Sequence, residues 1–464
     1  MSMLILFVAA LPFRAAVQFS DGRRVPLRGV DMPDDDGLYR PDIFVDDVSV
    51  EIGSRARFLD RSAAIGHRWL AQVDGLATAT IPGARRQEPL RGRDVFALVI
   101  RQFIQLAERN LGIDIYHLVF VVPPAISKAD RSALAESGHI AGCGIVEFAH
   151  LNDLLAQNHG AEVGKRHLLV QHDWEQCRIT VFRCRAADTK IESSRDLSIE
   201  NSGANLVKKL LHNFGSQGEH ESQVREFLTR ALPQWTAADV AEDLVASQVG
   251  PPRPLYLPAN LRRALAGQLI ERILADIPQQ IDWIHLHGSW CANLAGFFAM
   301  CKPSAQISVV RSSGDVLELA VPKSLPRPVL GGKVWADVLG EVSQGNARTT
   351  LLEPGAILPA IFHDEGFRSE LFGGSVALFT DKDGRKNALA RLAIPRLHAK
   401  RPYCRLRLRV LCDSEDFVVI LCDLAIASNM HLFVYDRRAG VAQDVDSRIV
   451  QQVYRDAQLD RARA

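Results

Sequence analysis

Imidazole and carboxylate side chains gather at two places in the sequence. One is the run Gln171-His172-Asp173-Trp174-Glu175-Gln176, and the other is Ile284-His285-Leu286-His287-Gly288-Ser289. Groups of these types can ligate a transition metal or polarise a small ligand. His285 and His287 are two residues apart, so on a strand they share a face. Ordinary polar packing is the simpler account of both runs, and an isolated H-x-H is a weak signal. Thiol chemistry has less to offer. The eight cysteines, Cys143, Cys177, Cys184, Cys291, Cys301, Cys404, Cys412 and Cys422, form no C-x-x-C pair. Neither a zinc ribbon nor a dithiol redox motif is therefore expected. Most lie in apolar runs and read as buried free thiols of a reducing compartment. Arg405, Arg407 and Arg409 alternate along one β-prone run. They could grip an acidic partner, but a solvated outer face explains them as simply. The acidic run Asp34-Asp35-Asp36 lacks the spacing of a calcium loop.

These residues need elements to hold them. A chain of 464 residues is too long for one core, so two or more domains are expected. A net charge of +1 gives no overall pull toward nucleic acid or an anionic membrane, and neither is expected as a partner. The opening MSMLILFVAALPF has no Lys or Arg ahead of its apolar run, and Pro12 and Arg14 end that run early. It is too short to span a bilayer and reads as a first buried strand. A cytoplasmic protein is expected.

Strand and helix signals alternate over the first ~325 residues, the mark of an α/β domain. Apolar Val95, Leu98, Val99, Phe103 and Leu106 fall at helical spacing over 94–111, with Gly112 as a stop. HLVFVV (117–122) reads as a buried strand. Ser127 can cap a helix over 128–137 that stops at Gly138. Further strands fit 145–148, 167–170, 178–183 and 283–287, while 203–277 reads as polar and helix-rich. PKSLPRPVLGGK then carries three prolines and two glycines, a linker composition. Beyond it come short β-prone runs such as SVALFT, LRLRVL and FVVILCDL. The segment 440–462 fits a short polar helix or a frayed tail. No internal repeat is found.

The stretch VFVVPPAISKADRSALAESGHIAGCGIVEFAHLNDLLAQNHG (119–160) resembles the DnaK-type, seventy-kilodalton heat-shock chaperones. In that family a strand ends in V-P-A, then come a capped helix, A-G-x-x-A-G, a strand and a helix ending in glycine. RPDIFVDDVSVEIGSRAR (40–57), NSGANLVKKLL (201–211) and IDWIHLHGS (281–289) are similar to further family segments in the same order. So are TTLLEPGAILP (349–359) and residues 388–423. The resemblance implies an α/β actin-like (ribonuclease H-like), two-lobed ATPase-type domain over 1–325. A linker at 326–333, a small β-sandwich domain at 334–437 and a C-terminal helix or tail at 438–464 follow.

The resemblance also locates what is missing. ATP hydrolysis in that fold relies on positioning and electrostatics, with bare backbone amides of glycine-rich turns against the phosphates. Where the family has D-x-G-T-T, this sequence has Ala9, Leu11, Pro12 and Phe13. Where it has D-x-G-G-G-T, the residues are Gln171 to Gln176, and Asp173 and Glu175 would repel phosphate. The family's lysine aligns with Arg57, its helix-borne glutamate with Leu151, and the first glycine of its adenosine loop with His287. Gly288 and Ser289 remain, as does Gly203. The family's leucine-rich coupling linker aligns with Val329-Leu330-Gly331-Gly332-Lys333. The two glycines forgo ~1.5–3 kcal/mol of apolar burial per leucine.

The implied protein is a non-catalytic, chaperone-like binding or scaffold protein, a pseudoenzyme with a vestigial nucleotide cleft. That cleft comprises Arg57, Gln171, His172, Asp173, Glu175, Gly203, His287, Gly288 and Ser289. No cofactor or metal is expected, although residual ATP or ADP binding stays open. The partner would be another protein or an unfolded peptide. By resemblance, Val342 and Ala347 on one loop, with Leu378 and Phe379 on a hairpin, would flank its groove. An ATP-dependent DnaK-type chaperone with a divergent site, or a structural subunit of a larger complex, are the alternatives.

Overall fold

The structure, a computed structural model, describes residues 2–8, 14–27, 42–45, 50–52, 63–64, 76–77, 90–115, 117–143, 145–158, 162–172, 177–186, 188–197, 203–213, 224, 227–228, 231–232, 234, 241–245, 253–275, 277–288, 290–310, 333–338, 347–356, 360–368, 375–382, 385–393, 403–413, 416–423, 431–436, 441–446, 448–450 and 453. Arg57, Asp173, Glu175, Ser289, Val342, the acidic run at 34–36 and the linker up to Gly332 lie outside the described residues.

Two five-stranded sheets organise the first part of the chain. The first is made of β1 (Met3–Phe7), β2 (Arg14–Gln18), β3 (Arg24–Pro26), β4 (His117–Val122) and β5 (Ile145–His150), in the order β5-β4-β1-β2-β3. β1 pairs antiparallel with β2 and parallel with β4, β2 pairs antiparallel with β3, and β4 pairs parallel with β5. The second sheet contains β6 (Arg166–His172), β7 (Cys177–Cys184), β8 (Thr189–Asp196), β9 (Trp283–His287) and β10 (Gln306–Val310). Its order is β10-β9-β6-β7-β8, again with two antiparallel pairs on one side of the first strand and two parallel pairs on the other. The two sheets thus have one topology. The chain is repeated in architecture where its sequence shows no repeat. In both units the extra strands fall between the third and fourth strands. They are 42–45, 50–52, 63–64, 76–77 and 90–91 in the first unit, and the hairpin of 241–245 with 253–257 in the second.

β1 and β4 are buried along their whole length, as apolar central strands flanked on both faces must be. Their side chains alternate between two cores. Leu4, Leu6, Leu118 and Phe120 point into one, and Met3, Ile5, Phe7, Val119 and Val121 into the other. The second of these cores also takes Leu169, Phe182, Cys184 and Val310 from the second sheet, so the two sheets share a layer.

Helices pack on the sheets. α1 (Gly92–Leu111) ends as expected, at Gly112 in the left-handed region, whose N–H bonds back to Glu108. α2 (Lys128–Ile140) starts where Ser127 accepts a hydrogen bond from the Asp130 amide at 3.0 Å. It does not stop at Gly138. The helix runs through that residue, and a β-carbon there would meet Val146 Cγ2 at 2.8 Å. Gly138 is thus a close-packing residue, and Gly142, at φ 105°, makes the turn instead. α3 (Leu151–Asn158) buries Leu151, Leu154, Leu155 and Ala156 in the layer between the sheets. α4 (Gly203–Asn213), α5 (Ala259–Leu274) and α6 (Ala295–Cys301) supply the outer core of the second sheet. The helix-rich stretch 203–277 holds α4 and α5, and between them a hairpin that was not expected there. Its RPLYL strand carries Pro254 and too few residues for a helical period to be tested.

Two antiparallel sheets form the later part of the chain. The strands are β11 (Lys333–Val338), β12 (Ala347–Leu352), β13 (Ala360–Arg368), β14 (Ser375–Lys382), β15 (Arg385–Ala393), β16 (Tyr403–Asp413), β17 (Asp416–Asp423), β18 (His431–Asp436) and β19 (Val441–Asp444). One sheet has the order β12-β11-β14-β15 and the other β13-β16-β17-β18-β19. Residues 448–450 are helical, and Val445, Ile449, Val450 and Val453 belong to the first sheet's outer core. Of the short polar helix or frayed tail expected over 440–462, a helical segment is present, and the residues it buries are apolar. Among the described residues no helix is long and apolar enough to cross a membrane.

Candidate functional site

The strand ends that face one another across the shared layer bring several of the sequence-selected residues together. Gln171 and His172 end β6, His287 ends β9, and Gln171 stands opposite His287 in the parallel ladder. All three are buried. Residues 167, 169 and 171 of β6 and 283, 285 and 287 of β9 fall on the side that carries Leu169 into the shared core.

The first sheet reaches this place through Phe7, the last residue of β1. Its ring centroid is 5.2 Å from that of His287. The His172 and Trp290 rings meet edge to face, with centroids 5.7 Å apart. Gly288, at φ 104°, lets the chain turn directly beneath His172; a β-carbon there would lie 2.6 Å from the His172 carbonyl oxygen. The Gly288 amide donates to Val310 O at 3.3 Å, and Cys291 Sγ donates to His287 O at 2.9 Å. Gly203 begins α4, whose Val207, Leu210 and Leu211 share a core with Trp290 and Cys291. The strand ends are thus closed by rings and by a tight glycine turn.

A second group on the same face escaped the sequence reading. His167 Nδ1 and His285 Nε2 share a hydrogen bond at 2.9 Å, and Cys184 Sγ lies 3.2 Å from His167 Nε2. The rings of Phe182, His167, His285 and Trp283 form a near-parallel stack, with neighbouring centroids 5.0 to 6.2 Å apart. Burial pushes the Cys184 thiol up, and the Asp153 carboxylate adds to this. A thiol kept protonated donates to the imidazole and is a poor nucleophile. His285 was visible in the sequence. Its partners were not, because strand register brings 167 and 184 to it from 118 and 101 residues away.

Another buried polar group lies where α1 meets α2. Arg93 Nη1 is 2.5 Å from Glu136 Oε2, and Arg93 Nε is 3.2 Å from Asp94 Oδ1. Ser137 Oγ donates to Arg93 O at 2.8 Å. Burial alone would lower the Arg93 guanidinium, but the two carboxylates more than reverse that. Burial pushes the Asp94 carboxyl up against the pull of Arg93.

Among the described residues no group of three or more His, Cys, Asp or Glu side chains is placed to hold a metal ion. Ala347, Leu378 and Phe379 fall in one sheet. Ala347 stands opposite Val338, while Leu378 and Phe379 stand opposite Ala336 and Trp335. A register shift separates Leu378 from Phe379 in their pairing with β15. Compared with protein-family models and with curated proteins, the sequence matches none of them.

Proposed function

We propose that the chain is a non-catalytic relative of the DnaK-type chaperones. Its first part is a two-lobed actin-like domain without nucleotide chemistry, and the two antiparallel sheets form a sandwich that binds protein. The observation that carries this reading is the doubled topology with its two β1-like strands ending at one place. In a phosphate-binding version of such a fold those ends must present bare amides and room. Here Phe7 and His287 fill that place with rings, while His172 and Trp290 pack together at the other face of the second sheet. These rings support the reading that no triphosphate is held between the strand ends. A buried aromatic contact of this kind contributes about 0.5–1.5 kcal/mol beyond its area, so the seal also stabilises the fold.

A protein without a nucleotide cycle works by binding. Ala347 begins β12, an edge strand of one sheet where an extended peptide could add by strand-like pairing, and Leu378 and Phe379 lie on β14 inside the same sheet. The deciding experiment is calorimetric titration of the purified chain with magnesium-ATP, paired with a phosphate-release assay. No heat of binding and no release are expected. Micromolar or tighter affinity with steady release would overturn the reading and establish an ATP-dependent chaperone.

A further inference from the structure

Val445, Ile449, Val450 and Val453 are at most 2% exposed, and all four sit in the outer core of the first sheet with residues of α1, α2, β1 and β4. The sequence places them more than three hundred residues from those helices. Directly before them, β19 pairs with β18 as the last strand of the five-stranded antiparallel sheet. No residue separates Asp444, in that ladder, from Val445, in the first core. The antiparallel sheet that ends in β19 is therefore joined directly to the first sheet's outer core.

Local chemistry favours the segment as a built element. Asp446 caps its turn, accepting from the Arg448 amide at 2.9 Å and pairing with Arg448 Nη2 at 2.6 Å. The Val450 amide donates to Asp446 O at 3.0 Å, closing a helical turn. The charge of Asp446 also reaches Asp94 at the start of α1, where it adds to what burial does to that carboxyl. β17, two strands from β19 in the same sheet, passes within 8 Å of α2, Cα to Cα, a further approach of the two parts.

We propose that Val445, Ile449, Val450 and Val453 form a latch, which completes the core of the first lobe and pins the antiparallel sheets to it, and whose release is the motion that frees those sheets. The reading does not depend on whether nucleotide binds. A partner that captured the released segment, or the apolar face beneath it, would shift the protein toward the open form in proportion to its preference for that form.

Hydrogen exchange on the unmodified full chain tests the first half. The Val450 amide should exchange at least ~100-fold more slowly than in an unstructured peptide, with protection like that of α1. Exchange at the unstructured rate would overturn the proposal. The second half is tested with Ile449→Asp, using Ile449→Val as the conservative control. In Ile449→Asp, exchange in α1 and α2 should rise about tenfold while β6 and β9 hold, and trypsin should release the region 333–444. Ile449→Val should behave as the parent. An equal rise everywhere, or no rise in α1 and α2, would sink the latch as a separable device. If Ile449→Asp does not fold, the Val450 measurement on the parent decides.

Discussion

Gly288 shows how one residue can close a site by having no side chain. At φ 104° it occupies backbone space that other residues enter only with strain, and the His172 carbonyl occupies the space a β-carbon would need. Gly288→Ala should therefore cost about 1–3 kcal/mol or more, read as a fall in urea midpoint with an unchanged slope. Arg93 makes the opposite point, since its charge is tolerated only because carboxylates meet it. Glu136→Ala leaves a buried guanidinium short of a partner and should cost about 3–5 kcal/mol by denaturant titration. Replacing Arg93, Asp94 and Glu136 together by Met, Ala and Leu should cost much less, because the penalty comes from the orphaned charge. The Cys184, His167 and His285 side chains are coupled by two hydrogen bonds, so their parts should also prove non-additive when removed.

At the scale of elements, the close approach of α2 to β5 depends on Gly138. Gly138→Ala should push the helix against Val146 and cost about 1–3 kcal/mol, even though alanine is the better helix former. That position also shows what the sequence could and could not disclose. A glycine ten residues into a capped helix reads as a stop, since the wall it packs against comes from another strand. The caps at Ser127 and Gly112, the buried strands HLVFVV and WIHLH, and the β-prone later third were legible because each depends on neighbours in sequence. The segment at 445–453 was not. Its four apolar residues sit among Asp446, Asp444 and Arg448, and their burial is decided by a core built mostly from the first third of the chain. Gln171, His172 and His287 were picked out by type and are brought together in space. Phe7, which closes their place, carried no signal beyond being apolar.

Acid should loosen the molecule at a nameable point. Burial raises the Asp446 carboxyl, but its hydrogen bonds to Arg448 more than reverse this, and the net direction is downward from 3.8. A carboxyl lowered in the fold stabilises it above the unfolded value, and that contribution is lost as pH falls through the folded one. Asp446→Asn should therefore flatten the loss of stability between about pH 5 and pH 3 relative to the parent, measured as urea midpoints across that range. Burial moves Asp94 the other way, so the comparison must be between these two proteins rather than between two pH values of one.

The repeated topology has a consequence for synthesis. In each unit the opening hairpin exists long before its parallel partner does: β1 is made by residue 7, yet β4 begins only at residue 117. A nascent chain emerging from the ribosome thus carries an apolar strand, MLILF, with one edge open for over a hundred residues of elongation. At ~5–20 residues per second that is a window of at least several seconds, in which another chain's edge is a competitor for the place β4 will take. The same delay recurs between β6 and β9.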